Sequence, residues 1–207
     1  MYKETFEKGR VINFSDAVFS IAMTILVLEI SVPGYEVIQK LGTLKALQYL
    51  IPNFIGFFVS FMVIALYWIA HLKTMRFVDN FSKRLLWLNI YLLLFVVLLP
   101  FSTSFFVVYV PEIGPFNFYC LNLIAIGFTM WLNVRYVLKT TTHQNEEAVL
   151  QLKWQKWRSI SGPIIWSCAI ATSFISFTTA VIVFSLIFIS GAVINRIYKK
   201  KLNNISQ

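Results

Sequence analysis

Charge is scarce in this chain, and negative charge scarcest: 207 residues carry nine Asp and Glu against 18 Lys and Arg, so that only 13% are charged. A soluble globule of this size needs more polar surface than that. Cysteine and histidine are nearly absent, with two of each. Cys120 and Cys168 fall inside apolar runs, form no disulfide framework and no metal spacing, and read as packing residues. No Walker lysine loop, HExxH, GxSxG or CxxC occurs, which leaves no catalytic constellation and makes an enzyme an unpromising reading. Internal repeats, low-complexity stretches and arginine ladders are missing too. The first apolar run holds acids and lacks a small-residue cleavage site after it, so it reads as a retained span, not a removable signal.

What is abundant is apolar and aromatic surface. The chain is 58% hydrophobic, with 20 Phe, nine Tyr and six Trp, as expected of a helical membrane protein with aromatic belts at its interfaces. The expected class is an all-α membrane protein forming one domain over residues 1–207. Six transmembrane helices are drawn near 10–32, 46–71, 85–109, 115–138, 158–176 and 178–196. Pro33-Gly34 is expected to close the first, Pro52 to sit in the first turns of the second and Pro100 to kink the third. The border between the fifth and sixth is marked only by SFISFTT.

The net charge of +9 is a topology signal more than a nucleic-acid footprint, because of where it falls. Lys3, Lys8 and Arg10, then Lys73, Arg76, Lys83 and Arg84, then Arg135, Lys139, Lys153, Lys156 and Arg158, then Arg196, Lys199, Lys200 and Lys201 all land on one side of six spans. Lys40 and Lys45 land on the other. The bias places both termini in the cytoplasm. The stretch TTTHQNEEAVLQLKWQKWRS, which holds His143, Trp154 and Trp157, is expected either to lie along the cytoplasmic headgroups or to form a solvated loop.

The first span, RVINFSDAVFSIAMTILVLEISV, is the most informative stretch. Asp16 lies roughly 9 Å deeper than Arg10 at about 1.5 Å per residue. A carboxylate at that depth costs roughly 2.5–3.5 kcal/mol unless a partner or water meets it. Ala17, Ile21, Thr24 and Leu28 share one mostly apolar stripe, and Asp16 and Ser20 share an adjacent polar one. The apolar stripe could be an ordinary packing face, a reading that the polar one beside it weakens. Trp68 and His71, three residues apart at the end of the second span, share a face.

These residues carry a resemblance. Arg10-Val-Ile-Asn-Phe14-Ser15-Asp16 matches R-x-x-x-F-S-D, the first-helix signature of the transmembrane protein 175 family of potassium channels. The likeness continues through AVFSIAMTILVLEI, the Trp68-x-x-His71 pair and LLPFST of the third span. The resemblance implies a potassium-selective channel without a carbonyl filter, and no TVGYG sequence is present. It implies a homotetramer in a bacterial inner membrane, with the first helix lining a central pore. Ile21 would then form the narrowest apolar ring, Thr24 a hydroxyl ring and Leu28 a second apolar ring, with K+ passing transiently near Thr24 and Ile21. No cofactor, nucleic acid or small-molecule substrate is implied; the partners are copies of the chain and the bilayer.

Arg10, Phe14, Ser15 and Asp16 are expected to form a polar lock. In it Asp16 pairs with Arg10 or a neighbouring helix, and Phe14 wedges against the bundle. Ser20, Trp68 and His71 are expected either to hold the first helix by hydrogen bonds or to be satisfied locally. Glu29 is read as an interfacial acid, or as one that enriches cations at a pore mouth. Against the channel stand a proton- or cation-coupled transporter with Asp16 as the titrating group, and an accessory membrane subunit.

Overall fold

The structure, a computed structural model, describes residues 5–140 and 146–205. It is all-helical apart from one short strand pair. In chain order the elements are β1 (Thr5–Glu7), α1 (Lys8–Leu28), α2 (Tyr35–Leu41), α3 (Thr43–Tyr49), α4 (Ile51–Met75), β2 (Asn80–Ser82), α5 (Lys83–Val108), α6 (Ile113–Thr140), α7 (Glu146–Ser173) and α8 (Phe177–Ile205). Among the described residues α1, α4, α5 and α6 are each long and apolar enough to cross a membrane. With 21 residues, α1 spans about 32 Å, close to the thickness of a hydrocarbon core. In α8 the stretch Phe177–Ile187 is a shorter apolar helix.

Consecutive helices pack as antiparallel neighbours, α5 on α6, α6 on α7 and α7 on α8, while α1 lies against α4 and α5. The common core is apolar, with Phe19, Leu92, Leu99, Leu123, Met130 and Val134 all buried. Gly127 permits the tight approach of α6 and α7: a Cβ there would lie 2.6 Å from the Pro163 ring and 2.8 Å from the Tyr67 hydroxyl. Local signals place the element starts. Pro52 sits in the first turn of α4, where a missing N–H costs little. The Ser82 hydroxyl caps α5 by accepting from Leu85 N at 3.3 Å.

Several boundaries differ from the sequence expectation. Helix α1 stops at Leu28, ahead of Pro33-Gly34, and residues 35–49 form two short helices separated by Gly42, whose φ of 76° suits glycine. Helix α4 starts at Ile51 and runs on to Met75. The largest difference is α7. The stretch expected along the headgroups or as a solvated loop is, from Glu146 onward, continuous with the following apolar helix. Its polar residues make tertiary bonds: Gln155 Nε2 donates to Ala70 O of α4 at 2.8 Å, and Trp154 Nε1 to Ile194 O of α8 at 3.3 Å. His143 and Lys3 lie outside the described residues. Cys120 is buried, as its packing role required, whereas Cys168 is exposed on α7.

The strand pair was not anticipated. β1 and β2 run antiparallel with Thr5 opposite Ser82, Phe6 opposite Phe81 and Glu7 opposite Asn80. Phe81 is buried, and Lys8 Nζ donates to Arg76 O at 3.2 Å. The start of α1 is thereby tied to the turn between α4 and α5.

Candidate functional site

Helix α1 has two unlike sides. Val11, Ser15, Phe19, Ala22 and Leu26 recur at intervals of four and three and are buried against α4 and α5. The opposite side carries Ala17, Ile21, Thr24 and Leu28, all exposed, with Ile21 at 55% and Leu28 at 77%. The stripe singled out from the sequence is thus the side of α1 that the chain itself leaves uncovered. Thr24 Oγ1 donates to Ile21 O at 2.9 Å, which engages its proton and leaves the oxygen able only to accept.

At the end of the bundle where α1 and α5 begin and α4 finishes, three helices are joined by polar side chains. His71 Nε2 lies 2.8 Å from Asn89 Oδ1, Asn89 Nδ2 donates to Ser15 Oγ at 2.8 Å, and Ser15 Oγ donates to Val11 O at 2.8 Å. Since an amide oxygen only accepts, the network requires the proton on His71 Nε2. All three side chains are buried, and the His71 ring lies 5.7 Å from that of Phe19. Beside this chain Trp68 Nε1 donates to Asp16 Oδ1 at 2.8 Å. Asp16 and Ser15, adjacent on α1, therefore fasten it separately to α4 and to α5.

The residues expected to form a lock are placed as follows. Asp16 meets a neighbouring helix, but not Arg10. Six residues apart on one helix, the two side chains stand about 120° apart around its axis and more than a turn apart along it, and do not meet. Arg10 is exposed. Phe14, 61% exposed in the chain, lies outside the buried stripe. Ser20 is exposed and takes no part in the bonds of Trp68 or His71. Asp16 is half-buried, so the polar stripe is not wholly sequestered within the chain. Asn89 was missed by sequence reading. Its signal was there, an amide inside the apolar run LWLNIYLLL, which demands a partner at membrane depth.

A second buried polar cluster sits toward the other end of the same helices. Thr103 Oγ1 donates to Ser60 Oγ at 2.8 Å, and Ser60 Oγ lies 2.9 Å from the Tyr119 hydroxyl, joining α5, α4 and α6. Nearby, the Asn122 amide donates to Phe95 O at 3.2 Å and accepts from Leu99 N at 3.3 Å. It thus meets two backbone groups that bond each other in a regular helix, one residue before Pro100. Among the described residues no group of three His, Cys, Asp or Glu is placed to hold a metal ion.

Comparison with known proteins places this geometry. The sequence profile of the family described as endosomal/lysosomal potassium channel TMEM175 matches residues 10–100. A protein of Chryseobacterium sp. named as a potassium channel is 31% identical over 169 residues, 81% of this chain and 83% of that protein. The chain belongs to the TMEM175 family. A potassium channel of Chamaesiphon minutus is 37% identical over 101 residues, 49% of this chain and half the length of that protein. The fold is similar to the crystal structure described as a lysosomal potassium-selective channel TMEM175 homolog from Chamaesiphon minutus. The TM-score is 0.78 at 27% identity, covering 91% of this chain and 98% of that one. Every residue of the α1 site, from Arg10 through His71 to Asn89, lies within the stretch that the TMEM175 profile matches.

Proposed function

We propose that the chain is one subunit of a homotetrameric, potassium-selective cation channel in a bacterial inner membrane, with six spans and both termini in the cytoplasm. TMEM175 relatives named as potassium channels support the ion and the activity. The observation that carries the pore assignment is the uncovered stripe of α1. Four copies of one helix around an axis turn single residues into rings. Ile21 then supplies a ring of branched aliphatic groups that expels water when narrow and blocks ions without charge. A small rotation of α1 widens it. The lone pairs of four Thr24 hydroxyls, their protons held by Ile21 carbonyls, replace part of the water that K+ sheds more readily than Na+. Leu28 forms a second apolar ring beyond.

Asp16 and Ser15 have a positioning role in this reading: they hold the opposite side of α1 to α4 and α5, so that Ile21 keeps its place. With the Trp68 indole on its carboxylate, Asp16 is assigned to the scaffold and not to proton relay. No catalytic residue is proposed. Purified protein in planar bilayers under a potassium/sodium gradient tests the reading. Unitary current steps reversing toward the potassium potential are expected. Saturable flux without unitary steps would instead point to a transporter, and a reversal set by a pH gradient would make the proton the permeant ion.

A further inference from the structure

The α7–α8 end of the molecule holds a feature that the pore does not use. A cavity of about 440 Å³ opens between α7 and α8, walled by Leu150, Lys153, Trp154, Ile160, Ile194 and Tyr198 among others. A second, of about 300 Å³, lies between α4, α7 and α8 and is walled by Leu66, Tyr67, Gln155, Arg158, Trp166 and Ile187 among others. Ser161 lines both.

Trp154 is the hub of this region. Its ring stacks on Tyr198 at 4.7 Å and its indole N–H is spent on Ile194 O. Arg158 lies over the same ring at 5.4 Å and Lys73 of α4 at 5.9 Å. Lys153 stands at the rim, exposed. Among the described residues no carboxylate pairs with Lys73, Lys153 or Arg158; Glu147, the nearby acid of α7, takes the Gln151 amide at 3.3 Å. Arg158 is half-buried all the same. Two cations thus lie over the Trp154 ring, and a third, Lys153, lines the α7–α8 cavity beside it, whose other walls are mostly aliphatic and aromatic. Side chains of this kind mark the headgroup level of a membrane protein, and a basic recess between helices there recruits anionic lipid.

We infer that the α7–α8 cavity is a binding site for an anionic phospholipid: the headgroup phosphate is held at the Trp154 end by Lys153 with Arg158 and Lys73, and an acyl chain runs along Ile160 and Ile164. The charge complementarity selects a phosphate over a neutral occupant, and the mostly apolar walls select a lipid over a free ion. The inference requires only that these helices border a bilayer, and stands apart from what permeates the pore.

Native mass spectrometry of the intact, full-length protein with phosphatidylglycerol or phosphatidylcholine tests it. Retained phosphatidylglycerol is expected to exceed phosphatidylcholine, and Arg158→Gln and Lys153→Gln to lower it by about fivefold for each cation removed. Arg135→Gln, on α6 outside the cleft, serves as the control and should leave binding unchanged. A photoreactive phosphatidylglycerol on the unaltered protein gives a readout independent of variant folding, with labelling expected within residues 150–164 or on α8. Equal retention of both lipids, or labelling confined to other helices, overturns the proposal. Competition by millimolar inorganic phosphate alone would make the site one for a free anion. Loss of subunit association in the variants would make a second copy the occupant, and either result also overturns it.

Discussion

The Trp68 indole nitrogen lies 2.8 Å from Asp16 Oδ1, so the acid that makes the first helix unusual is fastened to α4 by a neutral donor and not by a cation. A hydrogen bond to a charged group contributes roughly 1.5–3 kcal/mol. Neutral donation keeps the carboxylate in place without a second buried ion, whose desolvation often exceeds the gain from pairing.

Removing that carboxylate should loosen the scaffold before it alters ion preference. Asp16→Ala is expected to lower thermal stability in detergent by roughly 1.5–3 kcal/mol, with Trp68→Phe close behind. The double variant should cost little more than either single one, since both delete the same bond. A thermal-shift series on the four proteins checks this. A stable Asp16→Ala channel that prefers sodium would instead place the carboxylate in contact with the ion.

The proposed assignment of Ile21 to a pore ring makes a separate prediction. Ile21→Asn should raise conductance and weaken the distinction between potassium and sodium, because a polar ring no longer expels water. Ile21→Cys should react with a water-soluble thiol reagent applied across the bilayer. Unmodified currents after prolonged exposure would put the constriction elsewhere.

Asn89 bridges α5 to both α1 and α4, and both of its bonds are buried. Asn89→Leu deletes both, leaving the His71 N–H without an acceptor at a cost of roughly 1–3 kcal/mol. Since Trp68 and Asp16 remain joined, the expected outcome is a folded but less stable protein, read from its melting temperature. Full stability would show that His71 finds another acceptor.

Gly127→Ala probes the packing of α6 on α7. The added methyl meets the Pro163 ring at 2.6 Å, so one helix must shift, and overpacking of this kind costs roughly 1–3 kcal/mol. Gly114→Ala, with open space around its Cβ, is the matched control and should melt as the parent does.

Much of α1 was legible in the sequence, because a stripe in one helix depends only on spacing: Ala17, Ile21, Thr24 and Leu28 do share an uncovered side. The break around SFISFTT and the place of Pro52 in a first turn follow from local chemistry in the same way, although α4 starts at Ile51 and not at residue 46. What spacing could not supply was any partner on another helix. The choice between Arg10 and a distant donor for Asp16 was settled by Trp68, 52 residues away, and Ser15 finds its second partner 74 residues away. The first half of α7 misled for a related reason. Gln155 and Trp154 look like surface residues in sequence, yet each donates to a backbone carbonyl of a neighbouring helix. The strand pair was invisible because three residues a side fall below any periodic signal.

The pairing of Phe6 with Phe81, reinforced by Lys8 on the Arg76 carbonyl, gives α1 a fixed pivot at its first residue. Farther along, the bonds of Ser15 and Asp16 add a second restraint, and beyond Phe19 no side-chain hydrogen bond among the described residues joins α1 to another helix. Any swing of the helix therefore has an amplitude that grows with distance from Lys8, and Leu28 travels farther than Ile21 for the same angular displacement.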